Sequence, residues 1–507
     1  MKKAIIIGSG FGGLATGIRL QSAGIDVTIF EKNSAVGGHA SQLKKNGFTF
    51  DMGPSLITAP SIINSVFESA GKRMEDYINM RYLDPFYRVY FHDKSYIDYS
   101  GHADKMKQQM SAFNKNDSLN YDKFTDYTRQ LHKAVIFDGL GSESFNFSKL
   151  VQFLPMAFKL NAFRNCYRMV SQFFSDPRHR FLFSFHSLFI GGNPFRAPSV
   201  YLMIPYLEKS AGVWYARGGM YSLVQAFEKL FIDLGGKIQC NSEIKSIEIN
   251  GNKTIGVRTV DQFHPADIVI SNAHFGHTQL DLIDPAKRRK WTDKRVKSLD
   301  YSMSCFLIYM GVKKQYPQLQ HHTLVLSKRY KELIRDIFDR KVLADDFSIY
   351  LHVPSKTDDT MAPPGCESIY ALIPVPNLNA AIDWSSQAER FKNKIIDFLE
   401  RDFGLEGLRA NLKVCETFTP EDFRTERNNY LGSAWGPEPK LTQSAAFRPS
   451  NKSEDIENFY ISGAGTHPGA GLPGVLLGAE ATVKEIIADL KTPLNSTWDI
   501  KKQVSHV

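Results

Sequence analysis

The sequence predicts an α/β fold in which three parts are interleaved along one chain: a doubly wound parallel-sheet domain, a mixed-sheet domain and a helical subdomain. Three observations predict it. A short apolar run, a glycine-rich turn and a helical stretch follow one another at the N-terminus. A second strand–glycine turn–helix pattern returns near the C-terminus, at 459–487. Between them, β-like runs alternate with a long aromatic-rich helical region, without internal repeats or a low-complexity linker. Halves of one domain at opposite ends of the chain require the rest to be inserted between them.

The N-terminal stretch justifies the first element. Residues 4–7 are apolar and read as a buried strand, Gly8-Ser9-Gly10-Phe11-Gly12-Gly13 as a G-x-G-x-x-G turn, and 14–23 as a helix closed by Gly24. A second β-like run, 27–30, ends at Glu31. Each part has a task in a Rossmann-like dinucleotide site. Gly8 permits the tight turn, Gly10 lets backbone approach a pyrophosphate, and Gly13 lets helix and strand pack closely. The helix N-terminus presents unpaired N–H groups to phosphate. Glu31, about 20 residues on, can accept hydrogen bonds from a ribose. Gly12 falls in the same turn, and Lys32 follows the acid. Next come Gly37-Gly38-His39 and Asp51-Met52-Gly53-Pro54. NAD sites do not need this second glycine pair. FAD proteins often have one, so FAD is the expected cofactor.

The remaining elements follow in order. Residues 58–71 read as a helix starting at Pro60, and 87–99 as aromatic-rich strand. The stretch 105–135 has helical spacing. Residues 150–174, LVQFLPMAFKLNAFRNCYRMVSQFF, carry Lys159, Arg164 and Arg168 but no acid, and Pro155 suits a first helical turn. Such a helix can lie in a membrane interface or be a core helix of a helical subdomain whose arginines reach the surface, and the two readings agree if it lines the entrance to an apolar tunnel. His186, among phenylalanines in 181–195, reads as a buried, hydrogen-bonded structural histidine. Arg217-Gly218-Gly219 is a further glycine turn before a helix at 223–234. Strands follow at 237–249, 253–260 and 266–271, then at 303–312, 347–353 and 368–374, with a helix at 390–401. Residues 491–507 read as a polar tail.

Composition bounds the function. At 507 residues the chain can bury two or three cores. Five scattered cysteines with no C-x-x-C pair fit reduced thiols, not a disulfide framework or a zinc site. The nucleotide turn begins at once, so the N-terminus is not read as a signal peptide, and no apolar run reaches the ~18 residues of a membrane span. The net charge of +9 with no nucleic-acid module favours an anionic membrane surface as the basic region's partner.

The C-terminal pattern is the most specific. Residues 463–475 read GAGTHPGAGLPGV, a glycine-rich turn with Pro473 at a helix start. This resembles the signature of the bacterial and fungal phytoene desaturases, carotenoid desaturases among the amine-oxidase-like flavoproteins. So do FSFHSLFIGGNPF (183–195), GVWYARGG (212–219), HHTLVLSKRYKELI (321–334), DDFSIYLHVPS (345–355), FTPEDF (418–423) and the LTQS…FRP run at 441–449.

The resemblance implies FAD, a C40 polyene hydrocarbon (phytoene) and stepwise desaturation toward lycopene at a membrane surface. It places Gly8, Gly10, Gly13, Glu31, Gly37 and Gly38 at the cofactor, with His39 where a basic residue is usual. It sets Ile244 near the adenine, and Gly465, Pro473, Gly474 and Val475 near the flavin ring. The implied domains are 1–75, 212–285 and 455–490 for FAD; 76–130 and 286–454 for substrate; and 131–211 as a helical, membrane-facing subdomain. Arg217 and His467, beside glycine turns expected near the flavin, are the candidates for a general base. No metal is called for. Oxygen or a quinone would reoxidise the flavin, oligomeric state is left open, and the expected location is the inner face of the cell membrane. The alternatives are a C30 or later-step carotenoid desaturase, an isomerase or ketolase, or a flavin amine oxidase.

Overall fold

The computed structural model describes residues 1–137, 141, 143 and 147–490; the predicted tail, 491–507, lies outside them. A five-stranded parallel sheet runs in the order Lys237–Gln239, Asp26–Phe30, Lys3–Ile7, Ile268–Ser271, Phe459–Ile461. It therefore gathers strands from both ends and the middle of the chain. Parallel strands are buried on both faces, which is why 4–7 read as an unbroken apolar run. Their side chains alternate. Ile6, Ile29 and Ile270 pack under the helices with Leu14, Phe227 and Leu476. Ile5, Ile7 and Val269 face Ile247, Val257 and Phe275 on the other side. The helices are Phe11–Ser22, Met220–Asp233 and Leu472–Leu490. A buried Arg19–Glu480 ion pair at 3.8 Å ties the first to the last.

The second sheet has seven strands, in the order Leu412–Phe418, Ser304–Val312, Glu367–Val375, Ile349–His352, His322–Val325, Tyr87–Tyr90, Tyr96–Tyr99. It is mixed: His322–Val325 runs parallel to Tyr87–Tyr90, and the other neighbours are antiparallel. Alternation decides its faces. Phe306, Ile308 and Met310 pack beneath the helix Trp384–Asp397, whereas Cys305 and Leu307 face the helical region and a large cavity.

Two predicted helices are built differently. The helix predicted over 105–135 is two helices, Ala103–Phe113 and Lys115–His132. Asn114 between them is extended, and its Oδ1 accepts from Asp117 N, capping the second. The stretch 150–174 is likewise broken. Helix Phe147–Lys159 ends in a turn with Asn161 at φ 50°, and Cys166–Val170 restarts under an Asn165 cap. Pro155 sits inside that first helix, not in its first turn; a proline there forgoes one backbone hydrogen bond.

Candidate active site

One cavity of about 630 Å³ runs from the parallel sheet into the helical region. Its first end is a backbone cradle lined by Gly8, Ser9, Gly10, Phe11 and Gly12. Gly8 has φ 90°, which favours glycine. A Cβ on Gly13 would lie 2.1 Å from the Gly8 carbonyl oxygen, so helix and turn close only around glycine. Gly10 caps the helix without a side-chain bond, and no acid follows in the first turn. The positive helix end is thus left for an anion. Glu31 is buried beside it. Its Oε2 accepts from Ser9 N at 3.0 Å and Ser9 Oγ at 2.6 Å, and its Oε1 from Asn33 N at 2.9 Å. A carboxylate offers about four lone-pair sites, so acceptor capacity remains for ribose hydroxyls.

The other sequence-predicted residues fall around this cradle. Gly37 and Gly38 both take positive φ, and Gly37 N donates to Ser9 O at 3.1 Å, which lays the second glycine pair over the first turn. His39 lines the cavity and is accessible from it, and desolvation and the Arg427 guanidinium push its pKa down to about 4. It is neutral at pH 7, and Asn429 Nδ2 donates to its Nε2 at 3.0 Å. Lys32 reaches across the cavity edge to Asn428 Oδ1 at 2.7 Å and Thr425 O at 3.0 Å. Ile244 lines the Glu31 end. Gly465, Pro473, Gly474 and Val475 line the cavity where helix Leu472–Leu490 begins, again with no acid in the first turn.

The sequence gives Asn272, just after the strand at 266–271, no site role of its own. Its Nδ2 donates to Gly8 O at 3.3 Å, and its Oδ1 would lie 2.4 Å from a Cβ on Gly12. It explains why Gly12 admits no side chain. The available signal was its place just after strand Ile268–Ser271, since doubly wound sheets bind ligands beyond their strand C-termini.

The two base candidates separate. His467 lines the cavity. Arg217 does not: its side chain is 41% exposed and pairs with Asp359 at 3.0 Å. Its glycine turn serves another carboxylate instead. Met220 N donates to Asp51 Oδ2 at 2.9 Å, and Gly218 N to Asp358 Oδ2 at 2.7 Å. The resemblance to a cofactor turn came from glycines that make room for Asp51.

The far end of the cavity is an apolar chamber. Phe153, Ala157, Phe163, Phe185, Leu188, Phe189, Met203 and Ile204 line it, with Leu307, Leu324 and Tyr350 from the mixed sheet. Glu208, buried in this wall, was not anticipated. The Tyr87 hydroxyl donates to it, and His186 Nε2 lies 3.1 Å from its Oε2. Burial, then the neighbouring Glu208 charge, holds the Tyr87 phenol well above its ordinary pKa, so it remains a donor. His186 is thus buried and hydrogen-bonded, as the sequence reading had it.

Comparison with known proteins bears on this arrangement. The model of the family described as flavin containing amine oxidoreductase matches residues 11–487. The chain belongs to this family. Within it, the chain is 42% identical over 499 residues to a protein of Pseudescherichia vulneris named phytoene desaturase (lycopene-forming), covering 97% of this chain and all of that one. A namesake in Pantoea ananas is 42% identical over 493 residues, covering 97% and 100%. At that likeness the flavin amine oxidoreductase described here is a member of the phytoene desaturases. Among solved structures, an oxidoreductase of Methanosarcina mazei shares the fold, with TM-score 0.64, 18% identity and coverage of 95% and 100%. FAD is the cofactor, and the cradle fits it: an uncapped helix end, glycines that admit no Cβ, and a buried acid beside the turn with acceptor capacity left.

Proposed function

We propose that this chain desaturates phytoene in successive steps toward lycopene, working at a membrane surface. The carrying observation is one cavity with a dinucleotide cradle at one end and a phenylalanine-rich chamber at the other. A hydrocarbon has no polar handle, so orientation must come from the shape of such a chamber. An amine substrate would need a polar cage. Among the described residues lining the cavity the one lysine, Lys32, sits at the ribose end. Bound flavin supplies a two-electron acceptor for hydride leaving an allylic carbon.

The residues of the chain do the rest. The apolar wall excludes water from the cationic carbon skeleton. The Glu208 carboxyl group takes the proton from the adjacent carbon, which leaves the new double bond. The Tyr87 and His186 contacts hold that carboxyl group in place.

The membrane reading rests on the chamber mouth. Phe163 both lines the cavity and is exposed, and so do Leu441 and Phe447. Phe158, 67% exposed, and Met156 extend the patch, and the exposed Lys159, Arg164 and Arg168 lie in the same stretch. Among the described residues no helix is long and apolar enough to cross a membrane. Moving a C40 hydrocarbon from lipid through water would cost on the order of 30 kcal/mol, so the enzyme must meet its substrate in the bilayer, here on the inner face of the cell membrane. Each basic residue near an anionic leaflet adds about 1 kcal/mol of attachment.

The test is purified protein with FAD and phytoene-loaded liposomes, run with oxygen or with a quinone under argon. Red, long-wavelength products support the reading, and chromophore length counts the steps. Turnover of C30 substrates alone would move the substrate within the same chemistry. No polyene from any carotenoid, with flavin bound, would overturn it.

A further inference from the structure

Beside the chamber, on the same face of the mixed sheet, lies a cluster that the reaction does not use. His321, His322 and His352 are buried, and one ring nitrogen from each lies within 4.8 Å of the other two. Their convergence is built into the sheet. His322 and His352 are register partners on neighbouring antiparallel strands, so both project from one face. His321, one residue before its strand, turns its ring into the same space, with ring centroids 4.5 Å from His322 and 5.0 Å from His352.

Each ring's surroundings narrow what the cluster can hold. His321 Nδ1 is paired with Thr357 Oγ1 at 2.7 Å, and His322 Nδ1 with the Tyr350 hydroxyl at 2.7 Å. Metal-ligating histidines are held in this way: one nitrogen takes an oxygen partner, and the other is left for the ion. His321 Nε2 lies 3.2 Å from His352 Nε2. Two nitrogens on a tetrahedral ion at ~2.0–2.1 Å lie about 3.4 Å apart. His322 Nε2 and His352 Nδ1 have no hydrogen-bond partner among the described residues, though both are buried. Three neutral imidazoles sharing protons explain the 3.2 Å contact but leave His322 Nε2 unsatisfied. An ion at the centre takes it up.

We propose that His321, His322 and His352 form a binding site for a zinc-like divalent cation, set on the mixed sheet beside the chamber. Three imidazoles favour a borderline metal of this class over magnesium or calcium, which prefer oxygen. The fourth position is open to water. Asp358 is linked to the cluster: it accepts from the Tyr215 hydroxyl at 2.9 Å, and the Tyr215 ring packs edge-on against His321. The ion would clamp strand His322–Val325 to Ile349–His352. Those strands carry Leu324 and Tyr350 into the chamber wall, so the clamp would set the wall's rigidity.

The full-length protein with its flavin is stripped with chelator, supplied with Zn²⁺, desalted, and its metal counted by plasma mass spectrometry. The expected result is about one ion per chain, removed in the His322→Gln/His352→Gln double variant, with a zinc-dependent rise in Tm seen only in the native chain. X-ray absorption at the zinc edge of the native protein reads the ligands without any variant, and should show a nitrogen shell with imidazole outer scattering. Substoichiometric zinc in the native chain, a shell without imidazole, or full retention by a folded double variant would each overturn the assignment.

Discussion

A methyl added at Gly13 would sit 2.1 Å from a backbone oxygen, while at the other end of the same cavity Phe163 stands between chamber and solvent. The cradle is made of backbone. Its contacts are amides, a glycine turn, and single side chains such as Glu31 and Asn272 that hold that turn. The chamber is made of bulk: aromatic and aliphatic side chains from several helices and one sheet face. The difference follows the ligands. A pyrophosphate is read by N–H groups at fixed positions, whereas a hydrocarbon is read only by shape and the absence of water. One region should therefore fail at a single added carbon, and the other only where its rare polar group is touched.

The largest effect is expected where that polar group is removed. Glu208→Gln keeps size and hydrogen bonding but loses the base, and should lower turnover by about 100-fold or more with the bound-flavin spectrum unchanged. Unchanged turnover would return the whole chamber to a passive role.

Gly13→Ala breaks the cradle instead. Overpacking costs about 1–3 kcal/mol, or roughly 5- to 140-fold in FAD affinity at 1.4 kcal/mol per decade. Flavin retention on desalting measures it, and Leu188→Met in the chamber should leave retention unchanged. Equal losses from both would erase the contrast.

Reversing Arg164 and Arg168 to Glu should weaken sedimentation with anionic vesicles by about tenfold or more and leave flavin binding intact. Binding that stays the same would detach the chamber mouth from the membrane.

A smaller effect tests Asp51, whose pKa burial raises to about 7 in the folded chain. The folded state holds this proton more tightly than the unfolded state. The stabilisation is therefore full below about pH 4 and is lost as pH rises through about 7. Asp51→Asn should flatten the fall in Tm between about pH 4 and 7. Arg217→Ala should do least: an exposed ion pair contributes about 0–1 kcal/mol, and kcat should not move.

The same contrast governs what could be read in advance. The cradle was legible because its strand, turn, helix and acid lie within 4–31, and each residue type has a local conformational reason to be there. The C-terminal glycine turn was legible on the same ground. Arg217 misled because a glycine turn before a helix looks alike whether it receives a phosphate or the Asp51 carboxylate. The stretch 150–174 announced an apolar purpose by composition. The break at 159–166 did not show, because it depends on Asn161 and Asn165 meeting their local partners.

By itself, then, the sequence determined the class of fold, the dinucleotide turn and the apolar character of the substrate region. These rest on periodicity and on backbone conformations that only certain residues adopt. Tertiary structure alone decided that Asn272 braces the glycine turn, that Glu208 enters the chamber wall, and that three histidines from two strands converge. Those groups meet across long stretches of chain through sheet register and helix packing, and no local pattern records which distant residue will face them.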